Sequence, residues 1–389
     1  MLGLGLATTG CKKKKEEPAG GSTGTMAGSA AGSDTAMGSG AMGSAGSAAE
    51  PAKEATKNGA DLVAKYMECV GQLNAGKLDE FKGNCIASEY KGHQADGPEV
   101  VGADALIEMF KANRVAFPDM KLEPQMVLLN GRNVFGVHLM TGTHQGPMKT
   151  PMGEVPATNK KVGVLFFHRL AINEENRATE EWAYMDPGTM MGQLGLVPKE
   201  VQMRAAIEKG MEGAPVIVVA ADDDKEKANL ELVKKANAAF AGKKSAEYMA
   251  FYTNDAVESD QAGDKDAVGK KDIEAGAKMF LAAFPDLKME SQGEFAAGDY
   301  VVVLGTFAGT NTGPLGPMKA TKKPVQGQYA EIIHVKDGKI AKVWRFRNGM
   351  AMAAQLGLLG DAPKGDAPKG DAPKGDAPKA DPKMEKKGG

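Results

Sequence analysis

Residues Ala178–Leu196, ATEEWAYMDPGTMMGQLGL, return near the end of the chain as Ile340–Leu358, IAKVWRFRNGMAMAAQLGL. Trp182 and Trp344 are the only tryptophans, and each is followed eleven residues later by Gln-Leu-Gly, at Gln193 and Gln355. Upstream, Phe117-Pro118-Asp119 is echoed by Phe284-Pro285-Asp286. From Phe117 to Phe284 is 167 residues and from Trp182 to Trp344 is 162, so the copies differ by a net five residues between these markers. Solenoid repeats recur every roughly 20–50 residues, so a period this long is a duplicated domain.

The 389 residues divide accordingly. A short apolar start (1–11) runs into a Lys/Gly/Ser/Ala-rich tether (12–57) too poor in apolar side chains to offset its ordering entropy. The two copies span 58–197 and 224–359, joined by a helix and linker at 198–223. Four Gly-Asp-Ala-Pro-Lys repeats open the extended, solvated tail at 360–389. A net charge of −2 with interspersed signs gives no argument for nucleic acid. No apolar run approaches the ~20 residues of a membrane-spanning helix.

Within the first copy, Leu62, Val63, Tyr66, Met67, Val70 and Leu73 fall at helical spacing. Shorter helices are expected at Leu78–Phe81 and Ala103–Arg114. Pro118 forces Phe117 out of helical geometry and marks the switch to strands. Strands are expected at Lys121–Leu129, Val134–Thr143, Val162–Ile172 and Ala178–Met185, with Asn130-Gly131 as a hairpin turn. Helices followed by an antiparallel meander give an α+β class. Glu200–Glu212 reads as a helix, and Pro215–Ala220 as an edge strand or packed linker. Asp222-Asp223-Asp224 caps a long helix, Lys225–Ala241, and the pattern repeats.

Together with their order and spacing, Phe117-Pro118-Asp119, Thr141–Pro147, Thr158–Val162 and the Trp182…Asp186…Gln193-Leu194-Gly195 ending resemble the SnoaL-like polyketide cyclases, many of them called ester cyclases, of the nuclear-transport-factor-two-like superfamily. The second copy matches through Phe284-Pro285-Asp286, Ala308–Pro314, Ala320–Lys323 and Trp344…Gln355-Leu356-Gly357. The resemblance implies two cones, each a curved antiparallel sheet over about three helices enclosing an apolar pocket. It also implies an acid on the last strand that closes a ring by aldol chemistry without cofactor or metal.

That acid falls on Asp186, with His144 as a second candidate catalytic residue. By strand alternation Trp182, Tyr184 and Asp186 share one face, expected to look inward, where apolar walls would raise the carboxyl pKa. Asp186-Pro187-Gly188 is equally a strand-end turn, and His144 equally a satisfied histidine. His168 either lines the pocket or packs in the sheet. In the second copy the corresponding pocket residues are Trp344, Phe346 and Asn348, and an amide cannot exchange the proton. The family's histidine partner, fourteen residues before the acid, falls on His334 in the second copy and on Ile172 in the first. Arg345 and Arg347, of opposite parity to Trp344, are expected on the outer sheet face.

The function expected is binding of a small apolar or aromatic carbonyl compound, the second copy being non-catalytic. The alternative is a cofactor-independent cyclase, isomerase or hydrolase acting through Asp186. No metal is expected. Met1 to Gly10, short and apolar, running into Cys11 and the following lysines, resembles the tail of a bacterial lipoprotein signal, implying a lipid anchor on Cys11 at the cell envelope, although Thr8 stands where that pattern favours Leu; without such a signal the chain would be cytoplasmic. In an oxidising envelope Cys69 and Cys85 either pair, closing a loop of about 17 residues, or stay as buried thiols. Relatives pair through the sheet, implying an internal pseudo-dimer or a homodimer.

Overall fold

The computed structural model describes residues 52–150, 153–198 and 201–359. The expected lipid anchor Cys11, most of the 12–57 tether and the 360–389 repeats lie outside them. The first copy runs α1 (Ala52–Asn74), α2 (Leu78–Cys85), β1 (Ile86–Gln94), β2 (Val100–Val101), α3 (Ala103–Ala116), β3 (Lys121–Asn130) and β4 (Asn133–Thr143). It continues through β5 (Met148–Thr150), β6 (Gly153–Val155), β7 (Lys161–Ile172), β8 (Ala178–Tyr184) and α4 (Pro187–Gln193) to β9 (Val216–Val219). The second copy runs α5 (Asp224–Ala241), α6 (Ser245–Ala250), β10 (Tyr252–Asp260), β11 (Ala267–Val268), α7 (Gly269–Ala283) and β12 (Lys288–Ala297). It ends with β13 (Tyr300–Thr310), β14 (Pro324–Lys336), β15 (Lys339–Arg347) and α8 (Gly349–Leu356).

This is the expected α+β architecture, twice. The first sheet has the order β2-β1-β8-β7-β4-β3-β9 and the second β11-β10-β15-β14-β13-β12. Three pairings break the antiparallel expectation: β1 runs parallel to β8, β10 parallel to β15 in the same way, and β9 parallel to β3. β1 was invisible as a strand because its sequence, IASEYKGHQ, is mostly polar. Its ends are held by pairing rather than by pattern. α1 begins at Ala52, inside the stretch expected to be tether.

The helix expected at Glu200–Glu212 does not form. Its described residues run extended across the first copy, where the Ile207 amide donates to the Gly163 carbonyl at 3.0 Å. Gly163 allows this approach, since a Cβ there would lie 2.1 Å from the Ile207 carbonyl oxygen. A buried backbone bond outweighs the weak local helix preference.

Each repeated motif closes part of the frame. Asp119 accepts from the Thr143 amide at 2.6 Å, and Asp286 from the Thr310 amide at 2.7 Å. Gln193 clamps β7 by accepting from the Gly163 amide and donating to its carbonyl; Gln355 does the same to Gln326 on β14. Gly195 and Gly357 sit at φ +71 and +73, where an L side chain is strained, and a Cβ there would strike Lys160 or Lys323. The five-residue difference is the β5–β6 hairpin, whose place in the second copy is taken by a turn bridged between Leu315 and Met318.

Three apolar cores follow. One lies between the helices and sheet of the first copy, around Phe81, Phe110 and Phe166. A second does the same in the second copy around Ala256, Phe284 and Val303. The third joins the two sheets face to face through Leu128, Phe135, Phe167, Val302, Ile332 and Phe346. Its rings meet directly, Phe135 with Phe295 at 4.8 Å and Phe167 with Phe346 at 5.7 Å. Cys69 in α1 and Cys85 in α2 are joined by a disulfide.

Candidate functional site

Which face of β8 looks into the first cone decides the site. Register pairs Arg169 with Trp182 and Phe167 with Tyr184. Phe167 and Tyr184 belong to the core between the sheets, and Trp182 packs against that core. The alternation is as expected, but the face is the opposite one. Each sheet is covered on both sides, so an aromatic stripe does not mark the inside. Trp182 lies under the Arg169 guanidinium at 4.4 Å and stacks on His93 at 5.2 Å. Trp344 and Phe346 face the first sheet in the same way, with Lys342 4.6 Å over the Trp344 ring. His334, of the same parity as Ile332, stacks on Tyr300 at 4.8 Å outside the second cone. None of these five lines a cone interior.

Asp186 lies beyond the end of β8 and caps α4. It accepts from the Thr189 amide and hydroxyl, both at 2.8 Å, from the Gly188 amide at 3.3 Å, and from the Met350 amide of the second copy at 3.2 Å. Asn348 caps α8 through the Ala351 amide at 2.9 Å. Asp186 thus forms the strand-end turn, and Asn348, expected in the pocket, is a helix cap in the same way. His144 is satisfied on one side: its Nδ1 lies 3.1 Å from the Thr158 hydroxyl and its ring packs on Phe117, while its buried Nε2 has no hydrogen-bond partner among the described residues. Asn311 binds the equivalent Thr321 amide at 2.7 Å in the second copy.

Inward from β8 stands Glu181, opposite Leu170, and beside it Ala183, opposite His168. Glu181 and His168 are thirteen residues apart across the β7–β8 hairpin, with His168 Nδ1 2.8 Å from the carboxylate. Tyr90 of β1 donates to the other carboxylate oxygen. The Tyr66 hydroxyl, from α1, lies 2.6 Å from His168 Nε2 and also hydrogen-bonds His138 Nε2. All five side chains are buried. Gly136 makes the room, since a Cβ there would lie 2.1 Å from the Tyr66 hydroxyl and 2.5 Å from His168 Nε2. The sequence reading placed His168 but not Glu181, Tyr66 or Tyr90. A carboxylate inside a strand otherwise built for burial was the available signal.

Burial sets the protonation of these groups. It holds His138 well below the ordinary imidazole range, and His168 as a neighbour adds to this. It pushes His168 down to about 4, against the pull of the Glu181 carboxylate. Burial and Glu181 together hold Tyr66 and Tyr90 well above the ordinary phenol value. Burial opposes the Glu181 charge, while the hydrogen bond from His168 favours it.

The second cone lacks the four members that stand on strands. Matching register puts Glu331 in place of His168, Val343 in place of Glu181, Gly305 in place of His138 and Ala256 in place of Tyr90. The interior instead holds closed ion pairs, Arg345 with Glu331 at 2.6 Å and Arg347 with Asp260 at 2.8 Å. Tyr248 and Tyr252 donate to Glu258 beside them. Both arginines therefore face inward, contrary to the outer placement expected from parity. An open groove of about 600 Å³ lies by the end of the second sheet, lined by Asp286, Lys288, Thr310, Lys323, Gln326 and Gln355. At the matching place on the first copy the 201–212 segment lies against Gly163 and Gln193. Among the described residues no group of three or more His, Cys, Asp or Glu is arranged to hold a metal ion. None of their helices is long and apolar enough to cross a membrane.

The profile of the SnoaL-like polyketide cyclase family matches residues 60–194 and again 231–356. No curated protein sequence matches the chain. Among solved structures, a candidate SnoaL-like polyketide cyclase from Jannaschia sp. CCS1 is 17% identical with a TM-score of 0.34, over 36% of this chain and 97% of that one. An NTF2-like protein from Burkholderia xenovorans LB400 is 16% identical with a TM-score of 0.29, over 34% and 97%. A hypothetical protein of ketosteroid isomerase-like fold from Catenulispora acidiphila, solved with trimethylamine, is 19% identical with a TM-score of 0.30, over 34% and 95%.

Proposed function

The chain belongs to the SnoaL-like polyketide cyclase family, and from that premise we propose that its first cone binds a small apolar or aromatic carbonyl compound and exchanges a proton with it. The observation that carries this is the buried His168–Glu181 pair, 2.8 Å apart and turned into the cone. Proton removal next to a carbonyl needs a base whose environment has been moved away from water, and this pair has one. The catalytic role first assigned to Asp186 passes to Glu181 and His168, because Asp186 is occupied by a helix terminus.

For the second cone a binding role without chemistry is the better supported reading. Val343 and Gly305 stand where Glu181 and His138 stand in the first, and its charged groups neutralise one another. The Cys69–Cys85 disulfide supports an oxidising compartment, such as an envelope to which a lipid on Cys11 would hold the chain.

The test is deuterium uptake by a panel of small aromatic ketones, 1-indanone among them, followed by NMR with the full chain. The wild type is expected to accelerate exchange at the carbon beside the carbonyl for some members. Glu181→Gln is expected to lower that rate by about 10²–10⁴. Exchange that is absent throughout the panel, or indifferent to Glu181→Gln, overturns the proposal.

A further inference from the structure

We propose that His138 Nδ1 is the atom that takes the proton from the bound compound, and that Tyr66 relays the resulting charge to His168. The inference deepens the acid–base function assigned above to the first cone and rests on it.

Counting hydrogens fixes the direction of each bond. An ionised carboxylate only accepts, so His168 Nδ1 carries the hydrogen that faces Glu181. A neutral imidazole has one N–H, which leaves His168 Nε2 as an acceptor for the Tyr66 hydroxyl, 2.6 Å away. With its single hydrogen so committed, the Tyr66 oxygen accepts from His138 Nε2–H. Neutral His138 therefore has a bare Nδ1. That nitrogen is buried and has no hydrogen-bond partner, and a buried polar atom left in this state calls for an explanation. Its ring is held by stacking on Phe166 at 5.1 Å.

Proton transfer then balances without any other reagent. A C–H bond beside the carbonyl breaks, its electron pair stays on the compound as the enolate, and an N–H bond forms at His138 Nδ1. The hydrogen on His138 Nε2 passes to the Tyr66 oxygen as the Tyr66 hydrogen passes to His168 Nε2. Nothing is oxidised or reduced. The cation that results is His168, next to the Glu181 carboxylate, instead of His138, which has no counter-ion in contact. Among the described residues, the titratable groups that face this chain are Tyr66 from α1, Tyr90 from β1, His138 from β4, His168 from β7 and Glu181 from β8. A charge moved away from the enolate and paired is easier to form in a buried site than one left bare. Running the steps backwards returns the proton to another atom of the compound.

Long-range proton–nitrogen NMR on the histidine-labelled full chain tests this without a ligand. At high pH the hydrogens are expected on His138 Nε2 and His168 Nδ1. On acidification His168 is expected to become doubly protonated while the His138 hydrogen switches to Nδ1. Tyr66→Phe is expected to uncouple the two, so that His168 titrates with no switch at His138. If exchange into 1-indanone is seen, Tyr66→Phe and His138→Gln should each slow it by about 10²-fold with the compound still bound. A wild-type His138 that carries its hydrogen on Nδ1 at high pH, or that never switches, overturns the relay. Ketone exchange lost in Glu181→Gln but unchanged in Tyr66→Phe also overturns it, and leaves the acid–base function standing. The wild-type measurement decides the matter even if Tyr66→Phe fails to fold.

Discussion

Asp186 and Asn348 occupy the same place in the two copies, and each reaches across to the other. Asp186 accepts from the Met350 amide at 3.2 Å, and Asn348 donates to the Ala95 carbonyl at 3.2 Å. Thr189, three residues after Asp186, donates to the Gln261 carbonyl at 3.1 Å. What aligns with a catalytic acid is here a pair of helix caps that also stitch the copies together.

Asp186→Asn, which copies the second half of the molecule, is therefore expected to keep ketone exchange within about twofold of wild type. Asp186→Ala should lower stability by about 1–2 kcal/mol, the usual consequence of losing an N-cap. Urea denaturation beside the exchange assay checks both. A large loss of exchange in a well-folded Asp186→Asn chain would restore Asp186 as the acid.

The first cone should make the chain acid-sensitive. His138 and His168 are held below the ordinary imidazole value of 6.5, His168 at about 4. Between pH 6.5 and 4 the unfolded chain binds protons at these positions that the folded chain refuses, so stability falls as pH falls. A contribution on the order of 1–3 kcal/mol is expected across that window. Glu181, held below its ordinary value, adds a loss of the same sign at lower pH. Denaturation at pH 7 and pH 5 measures the slope, and His138→Gln should flatten it.

Gly163→Ala would push a methyl group into the Ile207 carbonyl. The 201–212 segment must then lift, at a cost of about 1–3 kcal/mol. Limited proteolysis should show faster cleavage within that segment. Gln326, which carries a side chain at the matching position, shows that the strand itself tolerates one.

The facing sheets predict the assembly state. A fragment ending after β9 leaves Leu128, Phe135, Phe167 and Tyr184 without the second sheet, and burying one such phenylalanine is worth about 1.5–3 kcal/mol. Sedimentation velocity is expected to find the fragment self-associated and the whole chain monomeric.

The long strands β3, β4, β7 and β8 were legible to within one residue at each end, because Pro118, Asn130-Gly131 and alternating apolar residues punctuate them, while the short β5 and β6 between them were not. β1 was not, since its pairing with β8 comes from a distant part of the chain. At the site, the period of β8 was legible and its inside was not. Trp182 and Tyr184 are more apolar than Glu181 and Ala183, and only the presence of a second sheet turns them outward. The relay was hidden for a related reason. Tyr66, His138, His168 and Glu181 lie on four different elements, and no local spacing connects them.

The shared frame has a practical consequence. Asp119, Gln193 and Gly195 keep their counterparts in the second half, while the buried polar cluster of the first does not. Every chain thus carries its own reference domain, at equal concentration and in the same solution. A compound that binds both copies alike recognises the frame common to the duplication. One that enters the first alone is reporting on Tyr66, His138, His168 and Glu181.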